Sequence, residues 1–330
     1  MELLKKLTTT FATSGNEEKL CEIIKNEVAN YVDEIYTDNI GNVIAHKKAD
    51  GEKFMIAAHM DEIGVMVTYI EKNGFLRFAP VGGVGVNTLI NRRVVFENGT
   101  LGVISYEENI DIKKELTFSK MYIDICCDDD TKAKQKVNIG DTAVFDGEFC
   151  INGDCIVSKA LDNRVGVYSL INIIKKADNP IYDMYYVFTS QEEIGLRGAK
   201  ASAFSVNPKY ALAIDVTATG DTPNCPQSIV KLGGGTCIKI MDKSVISSPK
   251  MRRALEACSK ENNISYQNEI LSFGGTDAGA MQTVCDGAIT GAISVPTRYI
   301  HTPCETANIS DVNMSIDLAV KFITKDYFGK

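Results

Sequence analysis

The chain has 330 residues, of which 45% are hydrophobic and 24% charged, as is typical of globular proteins with one large or two ordinary domains. The formal net charge is -8 and no run of Lys or Arg exceeds two residues, so neither nucleic acid nor an anionic membrane surface is expected as a partner. The first residues show no apolar core of signal-peptide length, and no stretch reaches the roughly 18 apolar residues of a membrane span. We therefore expect a cytoplasmic protein whose 10 cysteines stay reduced.

Outside residues 65–158, amphipathic helical patterns alternate with apolar, strand-like runs. Helices are predicted at about 15–31, 165–175, 196–204, 251–262 and 309–322. Strands are predicted at about 34–36, 43–46, 53–58, 184–189, 210–214 and 287–295. This alternation predicts an α/β domain.

Two helix starts carry capping patterns. Ser14 and Glu17 have the spacing of a capping box, in which the serine caps the first turn and the glutamate reaches back. Ser310 or Asp311 is predicted to cap the last helix.

Between residues 65 and 158 the pattern changes to short β-like runs separated by glycine, asparagine and charged clusters. These runs lie at 65–70, 76–80, 93–96, 101–106, 121–126 and 142–145. Strands spaced this closely, without long helices between them, favour a small β-barrel or sandwich. We therefore predict an α/β domain formed by residues 1–64 and 159–330, interrupted by a β domain formed by residues 65–158.

Histidine, aspartate and glutamate, the residue types that commonly bind metals, stand at the ends of several predicted strands and helices. Taken alone, a histidine at the end of a strand is more often a packed core residue than a ligand, and two adjacent glutamates are more often a solvated turn. In this chain, however, five element ends present such side chains: His59, Asp162, Glu192 with Glu193, Asp215, and His301. Buried carboxylates need compensating positive charge, which a pair of divalent cations would supply.

Five segments of the chain resemble the motifs of one known family. They are residues 58–64, 160–166, 191–199, 213–217 and 296–301, supported by the connecting pieces 220–223 and 274–279. In this order they resemble the glutamyl/tetrahedral aminopeptidases, a family of dinuclear-metal exopeptidases whose members are sometimes labelled cellulase or endoglucanase-like. The resemblance implies a mixed, largely parallel sheet sandwiched by helices, as in zinc exopeptidases, with the inserted domain forming a small β-barrel.

The resemblance also implies a metal site with two divalent ions per subunit. His59 and Asp215 would bind one ion, Glu193 and His301 would bind the other, and Asp162 would bridge both through its two carboxylate oxygens. Such ligands accept zinc first, with cobalt or manganese as the other candidates. Two ions bridged by one carboxylate would activate a water molecule and polarise the scissile carbonyl.

Two further residues receive roles from the resemblance. Glu192 would act as the general base that takes the proton of the attacking water and passes it to the leaving amine. Asp61 would lie behind His59 and fix the tautomer of its imidazole. The peptide bond between Asp162 and Asn163 would be cis.

The function that follows is removal of N-terminal residues from short peptides. A deacylase or a carboxypeptidase with the same metal site stays open, because Arg164, Arg197 and Arg298 lie beside the motifs and could bind a carboxylate. A catalytically silent metal-binding or assembly protein is the other alternative. The family resemblance further implies a homo-oligomer, in which the inserted domain forms dimer contacts and borders the active site. Relatives extend such dimers to tetrahedral dodecamers.

Overall fold

In the computed structural model, which describes residues 1–225 and 228–329, the strands form two separate sheets. The strands are β1 Glu34–Thr37, β2 Val43–Lys47, β3 Lys53–His59, β4 Gly64–Ile70, β5 Leu76–Val81, β6 Arg93–Phe96, β7 Leu101–Tyr106, β8 Met121–Asp124, β9 Thr142–Phe145, β10 Cys150–Asn152, β11 Cys155–Ser158, β12 Asp183–Thr189, β13 Tyr210–Ala218, β14 Thr236–Met241, β15 Tyr266–Ile270, β16 Ile289–Arg298 and β17 Glu305–Asn308.

The helices lie mainly outside the β-rich middle of the chain. They are α1 Glu2–Thr9, α2 Glu18–Val28, α3 Val86–Leu89, α4 Ile112–Glu115, α5 Asp130–Lys134, α6 Leu161–Lys176, α7 Arg197–Val206, α8 Pro249–Glu261, α9 Asp277–Gln282 and α10 Ile309–Ile323, with a 3-10 turn at Phe118–Lys120. In the described residues, no helix is long and apolar enough to cross a membrane.

The larger sheet has 11 strands, and its centre is parallel. Its main order is β1-β2-β12-β3-β13-β16-β17-β11-β10, with β14 and β15 branching from β16. Strands β12, β3, β13 and β16 run parallel to one another, whereas their outer neighbours pair antiparallel. Carboxyl ends of parallel strands lie at one edge of a sheet, so the residues that follow these four strands can meet there.

Helices cover both faces of this sheet because its central strands are apolar on both sides. In β3, Phe54 and Ile56 point into the core formed with α1, α2, α6, α8 and α10. The alternate residues Met55 and Ala57 point into the opposite core, formed with α7 and α9. The two-residue period of the strand therefore divides one continuous apolar run between two layers of helices.

The second sheet is a closed six-stranded antiparallel barrel of β4-β5-β8-β7-β6-β9. It has its own core, in which alternate residues such as Val65 and Val67 of β4 are buried. The expectation of a small β-barrel is thus confirmed, and the sandwich alternative is wrong. The hairpin of β10 and β11, which follows the barrel, pairs with β17 of the large sheet.

The predicted helices and strands are present, but both capping predictions are wrong. Helix α2 begins at Glu18, and neither Ser14 nor Glu17 caps it with a side-chain hydrogen bond. The hydroxyl of Ser14 donates to Asp61 instead, and the carboxylate of Glu17 accepts from the N–H of Gln191. In α10 the cap is Asn308, whose side-chain oxygen accepts from the N–H of Ser310. All 10 cysteines are free in the structure.

Candidate active site

The candidate site lies at the carboxyl edge of the four central parallel strands. His59 is the last residue of β3, and Asp215 lies in the second half of the adjacent β13. Residues 192–193 follow β12, and His301 follows β16. Asp162 enters from the start of α6 and is followed by a cis peptide bond to Asn163, as the resemblance implies. The parallel arrangement therefore brings together side chains from five separate parts of the sequence.

Asp162 lies at the centre of this cluster. Its Oδ1 is 3.1 Å from Nε2 of His59, and its Oδ2 is 3.3 Å from Nε2 of His301. On the first side, Oδ1 of Asp215 is 3.7 Å from Nε2 of His59. On the second side, Oε1 of Glu193 is 3.3 Å from Nε2 of His301. The cluster thus has two halves, each with one imidazole and one carboxylate, and the two oxygens of Asp162 are divided between them.

Both imidazoles are oriented by backbone carbonyl groups. Nδ1 of His59 is 3.1 Å from the carbonyl oxygen of Asp61, and 3.5 Å from Oδ1 of the same residue. Nδ1 of His301 is 2.9 Å from the carbonyl oxygen of Gly83, in the loop after β5. If each Nδ1 carries the proton, each Nε2 presents its lone pair to the cluster.

Gly83 brings the barrel into contact with the site. A Cβ added at this position would lie 2.7 Å from Nδ1 and Cε1 of His301, so only glycine allows this approach without displacing the ring. The loop after β5 therefore helps to hold the second imidazole.

The carboxylate of Asp61 fixes the loop that carries the adjacent glutamates. Its Oδ1 accepts from the N–H of Glu192 at 3.0 Å, and its Oδ2 accepts from the N–H of Glu193 at 3.1 Å. The hydroxyl of Ser14 donates to Oδ2 at 2.6 Å, which explains why Ser14 does not cap α2. Asp61 therefore touches both the first imidazole and the backbone of the glutamate loop.

Two carboxylates that sequence reasoning did not assign to the site also support it. Oε2 of Glu305 accepts from the N–H of Asp162 at 2.8 Å, and Oε1 accepts from the N–H of His301 at 2.7 Å. Oε1 of Glu17 accepts from the N–H of Gln191 at 3.1 Å. Because Glu305 is close to His301 in sequence, its place at the site could have been predicted. The capping-box spacing of Glu17 instead predicted a local role at the start of a helix.

The site carries more negative charge than its own side chains can compensate. Burial raises the pKa of Glu192 and Glu193, and it raises the pKa of Asp215 to about 7. Burial also disfavours ionised Asp162, but hydrogen bonding to His301 and His59 holds its pKa below the ordinary value. An added cation would favour the charged form of these carboxylates and so lower their pKa values.

The donor set fits divalent cations. Ligand atoms of His59, Asp162 and Glu193 lie within 4.8 Å of one another, as do those of His59, Glu192 and Asp215. Imidazole nitrogens and carboxylate oxygens are the ordinary protein ligands of zinc and manganese. Added positive charge would also relieve the repulsion among these buried carboxylates.

The cluster opens into a cavity of about 580 Å³ that can hold part of a substrate. Its lining combines the site residues and Gly83 with an apolar wall and two charged side chains. The apolar wall includes Leu196, Leu271, Phe273 and Ile300, and the charged pair is Lys239 and Asp242. None of the described residues that line the cavity is an arginine.

The three arginines beside the motifs have other partners or positions. Arg164 is fully buried and donates to backbone carbonyls, including that of Met60 at 2.7 Å. Arg298 forms two hydrogen bonds with Asp221, at 2.6 and 3.0 Å. Arg197 borders a different surface pocket. The structure therefore places no arginine from this set where it could bind the carboxylate of a substrate in the cavity.

Comparison with known proteins gives a consistent result. The profile of the family described as M42 glutamyl aminopeptidase matches residues 41–318. A putative aminopeptidase of Acetivibrio thermocellus is 51% identical over 322 residues, which cover 98% of this chain and 98% of that protein.

Solved structures agree with the sequence comparison. Aminopeptidase APDkam598 from the archaeon Desulfurococcus kamchatkensis has a TM-score of 0.94 and 37% identity, covering 98% of this chain and 94% of that one. The TET1 peptidase of Pyrococcus horikoshii, described as assembling into a tetrahedron or a large octahedral shell, has a TM-score of 0.88 and 35% identity, covering 98% and 99%. The resemblance of the motif segments, the predicted fold and the assignment as a peptide-bond hydrolase are confirmed. The chain belongs to the M42 glutamyl aminopeptidase family.

Proposed function

We propose that this protein is a metal-dependent aminopeptidase that removes N-terminal residues from short peptides, with Glu192 as its general base. The observation that carries the proposal is the two-part cluster around Asp162, in which each half holds one imidazole and one further carboxylate. Glu192 lies beside this cluster, with Oε2 3.9 Å from Nε2 of His59.

Two divalent ions per subunit fit this cluster. His59 and Asp215 would hold one ion, Glu193 and His301 would hold the other, and Asp162 would contact both. When bound, such ions act as Lewis acids toward the peptide carbonyl and lower the pKa of water. Zinc is the first candidate, with cobalt or manganese as alternatives, because availability decides among metals at sites of this type.

Glu192 is placed to move a proton. Asp61 holds its backbone N–H, and burial raises the pKa of its carboxyl group well above the ordinary value. A carboxylate with a raised pKa is a stronger base. Glu192 accepts the proton of the attacking water at its carboxylate and donates it to the nitrogen of the leaving amine.

The charge of the cavity supports an aminopeptidase over a carboxypeptidase. An α-ammonium group needs carboxylates, which the cluster supplies, whereas an α-carboxylate needs a cation. Arg164 and Arg298 are engaged elsewhere, and Arg197 borders another pocket. The one lysine that lines the cavity, among the described residues, is already paired with carboxylates.

The proposal also includes the domain organisation of the chain and its oligomeric assembly. Residues 1–64 and 159–330 would form the catalytic domain, and residues 65–158 would form an inserted domain that borders the site and makes dimer contacts. The contact of Gly83 with His301 supports the first role. The Pyrococcus horikoshii relative is described as able to assemble into a tetrahedron or a large octahedral shell, which supports a homo-oligomer. The free cysteines support a cytoplasmic location.

The general base is tested with Glu192→Gln. This variant keeps the shape of the side chain, so it should retain the bound metal, while turnover falls by about 10²–10⁴-fold. Turnover of amino-acyl anilides and metal content are measured on the same samples. Full activity of the variant would refute the role of Glu192.

The class of substrate is tested on the unaltered protein. Amino-acyl anilides should be hydrolysed, whereas N-acyl amino acids should not. The reverse preference would favour a deacylase or carboxypeptidase, and a metal-loaded sample that hydrolyses neither would favour a silent binding protein.

A further inference from the structure

The glutamate loop, residues 190–198, leads from the end of β12 into α7 and carries Glu192 and Glu193. Its backbone is strained, because Gln191 and Leu196 have φ angles of 54° and 56°. These values lie in the left-handed region, which residues with a Cβ rarely adopt. Such a conformation persists only where contacts from the surrounding structure hold it. The shape of the loop therefore depends on the side chains that bind its backbone.

Both ends of this loop are bound by one buried side chain, that of Asn42, which precedes β2. Its Oδ1 accepts from the N–H of Ser190 at 2.9 Å, and its Nδ2 donates to the carbonyl oxygen of Gly198 at 3.0 Å. A backbone hydrogen bond of 3.0 Å also joins the N–H of Gly198 to the carbonyl oxygen of Ser190. The exposed fraction of both Asn42 and Ser190 is 0%. The amide of Asn42 thus closes the loop from inside the protein.

The orientation of this amide is fixed by its partners. Nδ2 of Asn42 donates to Oδ2 of Asp38 at 2.7 Å as well as to Gly198. Oδ1 of Asp38 accepts from the backbone N–H groups of residues 40–42, which holds the turn that carries Asn42. A reversed amide would place its oxygen against two acceptors and its nitrogen against an N–H donor. Both donors and the acceptor of the side chain are therefore used in a single arrangement.

The close approach of Asn42 requires glycine at position 198. A Cβ added to Gly198 would lie 2.3 Å from Oδ1 of Asn42 and 2.3 Å from the carbonyl oxygen of Ser190. These distances are far shorter than a van der Waals contact. The absence of a side chain at this position lets the amide reach both ends of the loop.

The other side chains that bind the loop hold its middle. Glu17 accepts from the N–H of Gln191, and Asp61 accepts from the N–H groups of Glu192 and Glu193. Loss of the Asn42 amide would instead leave a backbone donor and a backbone acceptor at the loop ends without this partner. Such buried polar groups are costly, so the strained loop would move to satisfy them.

We propose that Asn42 is a positioning residue of the reaction, whose amide closes the glutamate loop and so places the carboxylate of Glu192 beside the metal-ligand cluster. Asn42 does not line the cavity, so it acts through the loop and not by contact with the substrate. The inference rests on the proposed function. It adds to that function a residue that lies outside the five motif segments.

The test is a double-mutant cycle between Asn42→Ala and Glu192→Gln, with turnover of an amino-acyl anilide measured on folded, zinc-saturated, full-length protein. Asn42→Ala alone should lower kcat by about 10–100-fold and change KM by less than about threefold, because a displaced base affects the transition state more than substrate binding. In the Glu192→Gln background the base is already missing. The same substitution should there lower kcat by less than about threefold.

A control variant and a second variant keep the test decisive. Asn172→Ala removes a partly buried amide that donates to the carbonyl oxygen of Tyr168 within α6, and it should leave kcat within about twofold. If Asn42→Ala does not fold, Asp38→Asn replaces it, because an amide at position 38 disturbs the carboxylate that holds Nδ2 of Asn42. Its loss in kcat should be smaller and should depend on Glu192 in the same way.

The outcomes separate this inference from the proposed function. An unchanged kcat in Asn42→Ala, or equal fold losses with and without Glu192, would overturn the inference alone. Full activity of Glu192→Gln, or no turnover by the unaltered protein, would instead reject the proposed function, and this inference with it.

Discussion

Two buried charge clusters sit side by side in this protein, and they are built in opposite ways. In one, both oxygens of Glu62 accept from Lys159, at 2.7 and 2.8 Å, and Arg164 adds a contact at 3.1 Å. In the other, the basic side chains within ion-pair distance of Asp162, among the described residues, are the imidazoles of His59 and His301. The first cluster is complete within the chain, whereas the second needs a cation from outside.

The same motif segments contribute to both clusters. Residues 58–64 supply His59 to the site and Glu62 to the internal network, and residues 160–166 supply Asp162 and Arg164 in the same way. Arg164 also fixes the backbone that carries the site, because it donates to the carbonyl of Met60, next to His59. A buried carboxylate paired with cations of the chain therefore marks the support of the site, and buried carboxylates without such cations mark its binding function.

The largest expected effect comes from breaking the Glu62–Lys159–Arg164 cluster. Glu62→Gln leaves Lys159 and Arg164 buried without their carboxylate, and we expect a loss of about 3–5 kcal/mol in the free energy of unfolding. Urea unfolding measures this change. The matched control is Glu52→Gln, which removes the exposed pair with Lys209 and should change the free energy of unfolding far less. Equal effects of the two variants would contradict the distinction between the clusters.

In the metal-ligand cluster, removing a carboxylate should instead raise the free energy of unfolding of the metal-free protein. Burial raises the folded-state pKa of Asp215 to about 7. Because this value lies above that of the unfolded chain, the folded protein holds the extra proton between about pH 4 and 7, and stability falls as pH rises through this window. Asp215→Asn removes the titrating group.

The chelated variant should therefore be more stable than the chelated parent at pH 8, by on the order of 2 kcal/mol, with a smaller difference at pH 5. Urea unfolding of both proteins at the two pH values gives the comparison. A variant that is less stable at pH 8 than the parent would show that the site tolerates its negative charge without a cation.

The most local of these effects concerns the contact between the barrel and the site. Gly83→Ala places a methyl group against the ring of His301, so the ring must move. We expect metal affinity to fall by about 10–100-fold, as for other changes that misorient a ligand. The control is Gly85→Ala in the same loop, where the nearest atoms lie 3.7 Å from the added Cβ. Metal titration of both variants decides whether the loop after β5 orients the imidazole.

Most elements with a regular apolar pattern were predictable from the sequence, whereas strands whose apolar pattern is interrupted by a buried charge were not. The pattern of β3 predicted its burial on both faces. Strands β14 and β15 were missed because Lys239 and Glu269 interrupt their apolar pattern, and these two charges compensate each other only once the strands are paired. Strand β17 begins with Glu305, whose partners are backbone N–H groups of the site.

The site was predictable in its members but not in its geometry. Metal-ligating types of residue at element ends identified the candidates, and the family resemblance supplied their grouping. The partners of Ser14 and Glu17 could not be predicted, because a local capping pattern and a distant hydrogen bond require the same side chains. Only the fold shows that Ser14 binds Asp61 and that Glu17 binds the backbone of Gln191.

The most direct test of a two-cation site is anomalous diffraction from crystals of the protein loaded with zinc. We predict two peaks per subunit, one beside His59 and Asp215 and one beside Glu193 and His301, with Asp162 in contact with both. Peaks elsewhere in the molecule, or an empty cluster in an active, zinc-saturated sample, would contradict the account.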